Sequence, residues 1–334
     1  MTEIIRIGLL RLSDAAPVVL AADQGIFSAH GIEVELKVEP SWANVADKLA
    51  YGLLDAAVML PPLALACALG LRGRRTDLVV PMSLSANGNA ITLSSGWEGA
   101  VAEGGRGLKA AIAARRGTPR LAVVHGFSTH DLLLRYWLAA HGVDPDQDVE
   151  LAVLPPAEMV GSLAAGAIDG FCAGAPWAQV AAHAGLGFIA AHSRDIWLDH
   201  PEKCLSVRSD FANRDPRRLL ALIGALSEAA ALCRQPNWPT ELPKLLASPD
   251  YLDLPAALIA ESLEVEDGGP RFDLNYPHPS HANWFARQLI RWGKAPETIL
   301  SASAGLYRPD LFLAAGGSTP APRTEQFLDK ALIE

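Results

Sequence analysis

Apolar and polar positions along the chain fall into two alternating kinds of segment. Short β-rich runs predict strands at 4–10, 32–38, 56–60, 78–84, 90–94, 120–124, 149–154, 168–172 and 187–191. Between them, Ala- and Leu-rich runs predict helices at 17–30, 43–51, 61–69, 108–116, 129–141, 158–165 and 176–183. The segment IEVELKV (32–38) alternates strictly, as a half-buried strand does. Asp14 is a candidate N-cap for the first helix, with Gly31 just past its end, and Ser128 and Gly142 bracket the 129–141 helix in the same way. Beyond about residue 200 the pattern turns mostly helical, at 216–234, 255–263 and 282–293.

A βαβα alternation implies parallel sheets with helices on both faces, an α/β fold. Two such sets predict two lobes with a ligand cleft between them, because ligands of open α/β sheets bind outside the carboxyl ends of strands, where helix N-termini point. The expected division is lobe one at 1–86 plus 200–334 and lobe two at 87–199, so that the chain crosses between lobes twice. The stretch AAGGSTPAPR (314–323) reads as a flexible linker before a short C-terminal helix at 324–333.

Length and composition narrow the function. At roughly 150 residues per domain, 334 residues correspond to about two domains. Half the residues are hydrophobic and 19% are charged, enough for a full core. The 28 Lys and Arg against 37 Asp and Glu leave a net charge of −9, which argues against direct contact with nucleic acid. Four scattered cysteines, Cys67, Cys172, Cys204 and Cys233, form no CxxC pair and read as buried reduced thiols. Glu3, Arg6 and Arg11 interrupt the apolar run at the start, and the stretch 56–71 is too short for a membrane span. A soluble, cytoplasmic protein is expected on these grounds.

The chain shows no GxSxG, HExxH, P-loop or strand-following GxGxxG, so no enzyme, cofactor or metal site is expected. His278 and His281 are three apart, but Pro277 and Pro279 make YPHPSH read as a turn rather than a ligand-bearing helix. Several strand–helix junctions instead carry groups suited to a small anion. His130 falls in the first turn of a helix, among unsatisfied backbone N–H groups; it can donate to an anion or remain an ordinary neutral imidazole near the cap. Trp42 sits at a helix start with a donor-only indole N–H, which suits an anion or simply staples the helix. Asn89 lies at the expected lobe crossing beside an Asn-Gly turn signal, and Gly174 lies in a βα turn where backbone can approach a ligand. Lys203 precedes an alternating stretch and is a fixed cation or an ordinary solvated lysine. Together these supply donors, one cation and almost no nearby acceptor, which suits nitrate or nitrite.

At these residues the sequence resembles the nitrate/bicarbonate-binding proteins of bacterial ABC importers, which have a periplasmic-binding-protein-like (type II) fold. The resemblance is most specific at NGNAITLS (87–94), THDLLLRYWLAAHGVDPDQDV (129–149), FCAGAPW (171–177), HPEK (200–203) and SHANWFARQLIRWG (280–293). It implies that Trp42, Asn89, His130, the Gly174 backbone and Lys203 grip an anion between two lobes. Lys203 would neutralise its charge and Trp42, Asn89 and His130 would donate to its oxygens. Bicarbonate carries an O–H and wants an acceptor, and Glu202 is adjacent, but HPEK also resembles the nitrate-binding members. With no leader expected, the chain resembles most the cytoplasmic nitrate sensors (NasS-type) of that family. The resemblance implies an RNA-binding antiterminator response regulator as protein partner, held inactive and released when nitrate or nitrite binds.

Overall fold

The computed structural model describes residues 3–235, 238–322 and 324–328. Its core is two five-stranded sheets. The first contains β1 (Ile5–Leu9), β2 (Val34–Val38), β3 (Ala56–Met59), β4 (Leu78–Ala86) and β10 (Pro201–Arg208), in the order β2-β1-β3-β10-β4. The second contains β5 (Asn89–Ser94), β6 (Arg120–Val123), β7 (Glu150–Val153), β8 (Gly170–Gly174) and β9 (Gly187–His192), in the order β7-β6-β8-β5-β9. The two sheets with their helices make a two-lobe α/β fold.

Neither sheet is fully parallel, contrary to the expectation from the βαβα alternation. β10 runs antiparallel to both β3 and β4, and β5 antiparallel to both β8 and β9. These are the strands by which the chain enters each sheet from the other lobe. A βαβ connection enforces parallel pairing within a lobe, whereas a crossing strand has no such crossover helix to turn it round. β10 itself lies where the sequence pattern read mostly as helix.

Other boundaries also moved. The first helix, expected at 17–30, is split by Gly25, which takes a left-handed φ of +67°, into Ala16–Asp23 and Ile26–Ala29. A 3₁₀ turn at Ser13–Ala15 precedes it, so Asp14 lies inside that turn and does not cap the helix. Helix Pro279–Arg291 begins at Pro279, which needs no N–H there; His281 is therefore helical, not in a turn. Ala314 ends helix Pro309–Ala314, and irregular chain follows over 315–322. The expected terminal helix is absent over 324–328, where Phe327 instead bridges to Trp197; its remainder, 329–333, lies outside the described residues, as does residue 323. Cys67, Cys172 and Cys204 are buried, whereas Cys233 is partly exposed.

Apolar side chains cover both faces of the first sheet. On one face Ile5, Ile7 and Leu9 of β1 pack with Leu222, Ile223 and Leu226 of helix Pro216–Leu232. On the other, Leu49 and Leu63 join a core that continues into the second lobe through Leu132 and Phe171. An aromatic cluster ties the returning chain to both. Trp197, just before β10, lies 4.3 Å from Trp284 and 5.0 Å from Phe327 between ring centres, and Tyr136 lies 6.1 Å from Phe327. The Trp197 indole donates to Glu325 at 2.7 Å. Trp197 is fully buried, so Trp197→Ala should cost about 3–5 kcal/mol of stability in chemical denaturation. A loss under about 1 kcal/mol, the size of a surface change, would show that this cluster does not hold the lobes together.

Candidate functional site

Strand register and helix starts bring the five sequence-predicted residues to one buried point. Asn89 opens β5 and pairs directly with Gly174, the last residue of β8. Asn87 and Gly88 take positive φ of 58° and 87° at the lobe crossing, the conformation an Asn-Gly pair tolerates. Helix Thr129–Ala140 is N-capped by Ser128, whose hydroxyl accepts from the Asp131 backbone N–H, and His130 follows in the first turn. Helix Trp42–Ala50 is capped in the same way by Ser41, with Trp42 its first residue.

Lys203 lies inside β10, not before an alternating stretch. The β10–β4 register runs Pro201↔Ala86 and then Lys203↔Ser85, so Glu202 is an extra residue in a β-bulge. A bulge re-aims side chains that would otherwise alternate across the sheet. Glu202 and its neighbour Lys203 thus meet side by side, both fully buried.

A compact charge cluster results. The Lys203 ammonium donates to Glu202 Oε1 at 2.6 Å and pairs with Asp14 Oδ2 at 2.7 Å. Asn89 Nδ2 donates to Glu202 Oε2 at 2.6 Å. His130 Nε2 stands 3.6 Å from Glu202 Oε1, and His200 Nδ1 stands 3.8 Å from its Oε2. The Trp42 ring centre lies 5.4 Å from the Lys203 ammonium, within cation–π range. A Cβ placed on Gly174 would come 3.2 Å from Asp14 Oδ2, 3.4 Å from Asn89 Oδ1 and 3.8 Å from His130 Nε2, so the glycine backbone faces the same point. The lobes meet there directly, since the Ser13 backbone N–H donates to the Ala175 carbonyl at 3.0 Å. Farther out, Arg11, Glu39 and Pro40 of the first lobe face Pro156, Glu158 and Trp177 of the second across a groove.

Acceptors are not scarce: two carboxylates, Asp14 and Glu202, sit on the single ammonium. Asn89 and Lys203, expected as donors to a ligand, are engaged by those carboxylates. Asp14, Glu202 and His200 are the members that the sequence reading left out of the site. Among the described residues, the Trp42 indole N–H, both His130 ring nitrogens and Asn89 Oδ1 have no hydrogen-bond partner in the protein. Such atoms also occur away from this point, at Thr92 Oγ1, Gln288 Oε1 and Tyr307 Oη, so it is the gathering of three such side chains around one ammonium that marks the site.

Burial dominates the protonation states. It holds the His130 imidazole well below 6.5, with Lys203 and His200 adding to the fall, so the ring is neutral and offers one N–H donor. His200 is lowered to about 3, again by burial first. Burial alone would lower the Lys203 ammonium, but Asp14 and Glu202 outweigh it and hold it above its ordinary value. Burial pushes Glu202 up to about 7, against the pull of Lys203 and with Asp14 adding to the rise. The fold therefore keeps a proton on Glu202 that the unfolded chain loses near 4.5, and this group's contribution to stability falls as pH rises from there through 7.

No group of three or more His, Cys, Asp or Glu side chains suited to a metal occurs among the described residues. Nor is any described helix long and apolar enough to cross a membrane.

The NMT1-like family pattern matches residues 2–247. The chain is 39% identical over 329 residues to the nitrate import ATP-binding protein NrtC of Synechocystis, covering 92% of this chain and 49% of that protein. It is 40% identical over 310 residues to the bicarbonate transport ATP-binding protein CmpC of Synechococcus elongatus, covering 87% and 46%. The chain thus spans about half the length of these relatives. Its structure superposes on the crystal structure of the periplasmic nitrate-binding protein NrtA from Synechocystis with a TM-score of 0.93, at 28% identity, covering 99% of this chain and 95% of that one.

Proposed function

The chain belongs to the NMT1-like family, and on that premise we propose that it binds nitrate or nitrite at the buried cluster around Lys203 and acts as a cytoplasmic sensor of that anion. In this reading it is a binding protein, not an enzyme. It holds an RNA-binding antiterminator response regulator inactive and releases it when the anion closes the lobes. The partner, not this acidic chain, touches RNA. A ligand shifts that balance only through different affinities for the open and closed forms, and a site built from residues of both lobes provides such a difference. The observation that carries the anion reading is the convergence of Trp42, Asn89, His130, Gly174 and Lys203 on one buried point between the lobes.

Two further readings have observations behind them. The relatives named above are import proteins, which favours a substrate-binding part of a nitrate ABC importer. The carboxylates at the site, and a relative named for bicarbonate transport, favour bicarbonate, whose O–H needs an acceptor. Isothermal titration with nitrate, nitrite, bicarbonate and chloride separates the ligands. Saturable binding of nitrate or nitrite, with none of chloride, is the expected result. Bicarbonate binding alone would replace the proposed ligand, and binding of no anion would remove the function. The sensor role is then tested by capturing proteins on the immobilised chain with and without nitrate. A regulator eluted by nitrate supports it; anion binding that releases no such regulator leaves the importer reading.

A further inference from the structure

With Asp14 and Glu202 both ionised, the anion site carries more negative than positive charge before any anion arrives. Asp14 and Glu202 are both fully buried and both within 2.7 Å of one ammonium. The other titratable groups facing them do not restore the balance. His130, from helix Thr129–Ala140, and His200, from the chain before β10, are neutral. The Cys172 thiol on β8 and the Cys204 thiol on β10 are raised by burial and carry no charge. Asp131, on the same helix as His130, is engaged by Arg135 and Lys294. A monoanion entering with both carboxylates ionised would therefore place a second uncompensated charge in a fully buried site.

We propose that anion binding here is proton-linked: Asp14 and Glu202 together take up one proton as the monoanion enters. The proposal rests on the anion reading above and adds the identity of a second, obligatory ligand. The one bond formed is a carboxyl O–H, and its proton comes from solvent. One anion and one proton join the site, and the carboxylate that yields its place on Lys203 becomes a hydroxyl donor to an anion oxygen. Asn89 Nδ2 can continue to hold Glu202 Oε2 throughout. Glu202 is already poised for this role, since burial raises it to about 7.

The test is titration of the native protein with sodium nitrate at pH 7.5 in PIPES and in Tris, whose ionisation heats differ widely. The apparent binding heat should differ between buffers in proportion to the proton taken up, and affinity should fall by up to about tenfold per pH unit toward pH 9. Glu202→Gln and Asp14→Asn identify the acceptor: at least one should flatten the pH profile, abolish the buffer dependence and bind nitrate more tightly than the native protein at pH 8.5. Nitrate binding with the same heat in both buffers and a flat pH profile overturns the proton linkage and leaves the anion reading intact. Full proton uptake in both variants overturns the assignment to these carboxylates. Absence of any nitrate binding overturns the anion reading itself.

Discussion

Lys203→Ala is expected to abolish nitrate binding and to destabilise the protein, and the two effects have separable causes. The ammonium is the positive charge that touches Asp14 and Glu202, and all three groups are fully buried. Removing it takes the charge-assisted donor from the anion, for an affinity loss of at least about 100-fold, ~2.7 kcal/mol. It also strands two carboxylates without a counter-charge, which costs about 3–5 kcal/mol and lowers the melting temperature by roughly 5–15 °C. The sign of the pH dependence identifies that second cause. Stranded carboxylates are favoured protonated in the fold and ionised in the unfolded chain. The deficit of the variant should therefore grow as pH rises above the ordinary carboxylate range and shrink below it. The triple variant Asp14→Asn, Glu202→Gln, Lys203→Met removes every charge at once. It should regain most of the melting temperature and still fail to bind nitrate. Native-like nitrate affinity in Lys203→Ala would refute the role of this residue, and a pH-independent deficit would refute the stranded-charge account.

What the sequence made legible here, and what it hid, divides along physical lines. Helix starts and strand ends are local features, so Trp42, His130 and Gly174 could be placed at such junctions from capping and turn residues alone. Their convergence is not local, and it came from the resemblance to anion-binding proteins. Asp14 was legible as a polar residue before a helix, where capping is the ordinary use; its partner Lys203 lies across the fold on β10, and no local signal links the two. Glu202 was hidden for another reason. Its neighbour relation to Lys203 follows from a bulge, and a bulge depends on the register of the partner strand β4. The direction of the crossing strands β5 and β10 was hidden in the same way, because alternation along one strand does not report which way its neighbour runs.

Gly174→Ala should weaken nitrate binding by more than about tenfold, ~1.4 kcal/mol, while leaving the fold nearly unchanged. Gly174 ends β8 without a left-handed backbone, so alanine meets no conformational penalty there. The added methyl instead meets the site: it would lie 3.2 Å from Asp14 Oδ2, 3.4 Å from Asn89 Oδ1 and 3.8 Å from His130 Nε2. The first of these is tighter than ordinary contact, so the Asp14 carboxylate must shift by a few tenths of an ångström. Alanine also restricts the unfolded chain, a gain of about 0.4–1 kcal/mol that offsets part of that crowding. The melting temperature should accordingly stay within a few degrees of native. That separation matters, because Lys203→Ala disturbs folding and binding together, whereas Gly174→Ala occupies the space where both lobes approach the ligand. A Gly174→Ala protein that melts normally and binds nitrate as the native chain does would place the anion elsewhere. One that melts normally and does not bind localises the anion to the meeting point of Gly174, Asn89, His130 and Asp14.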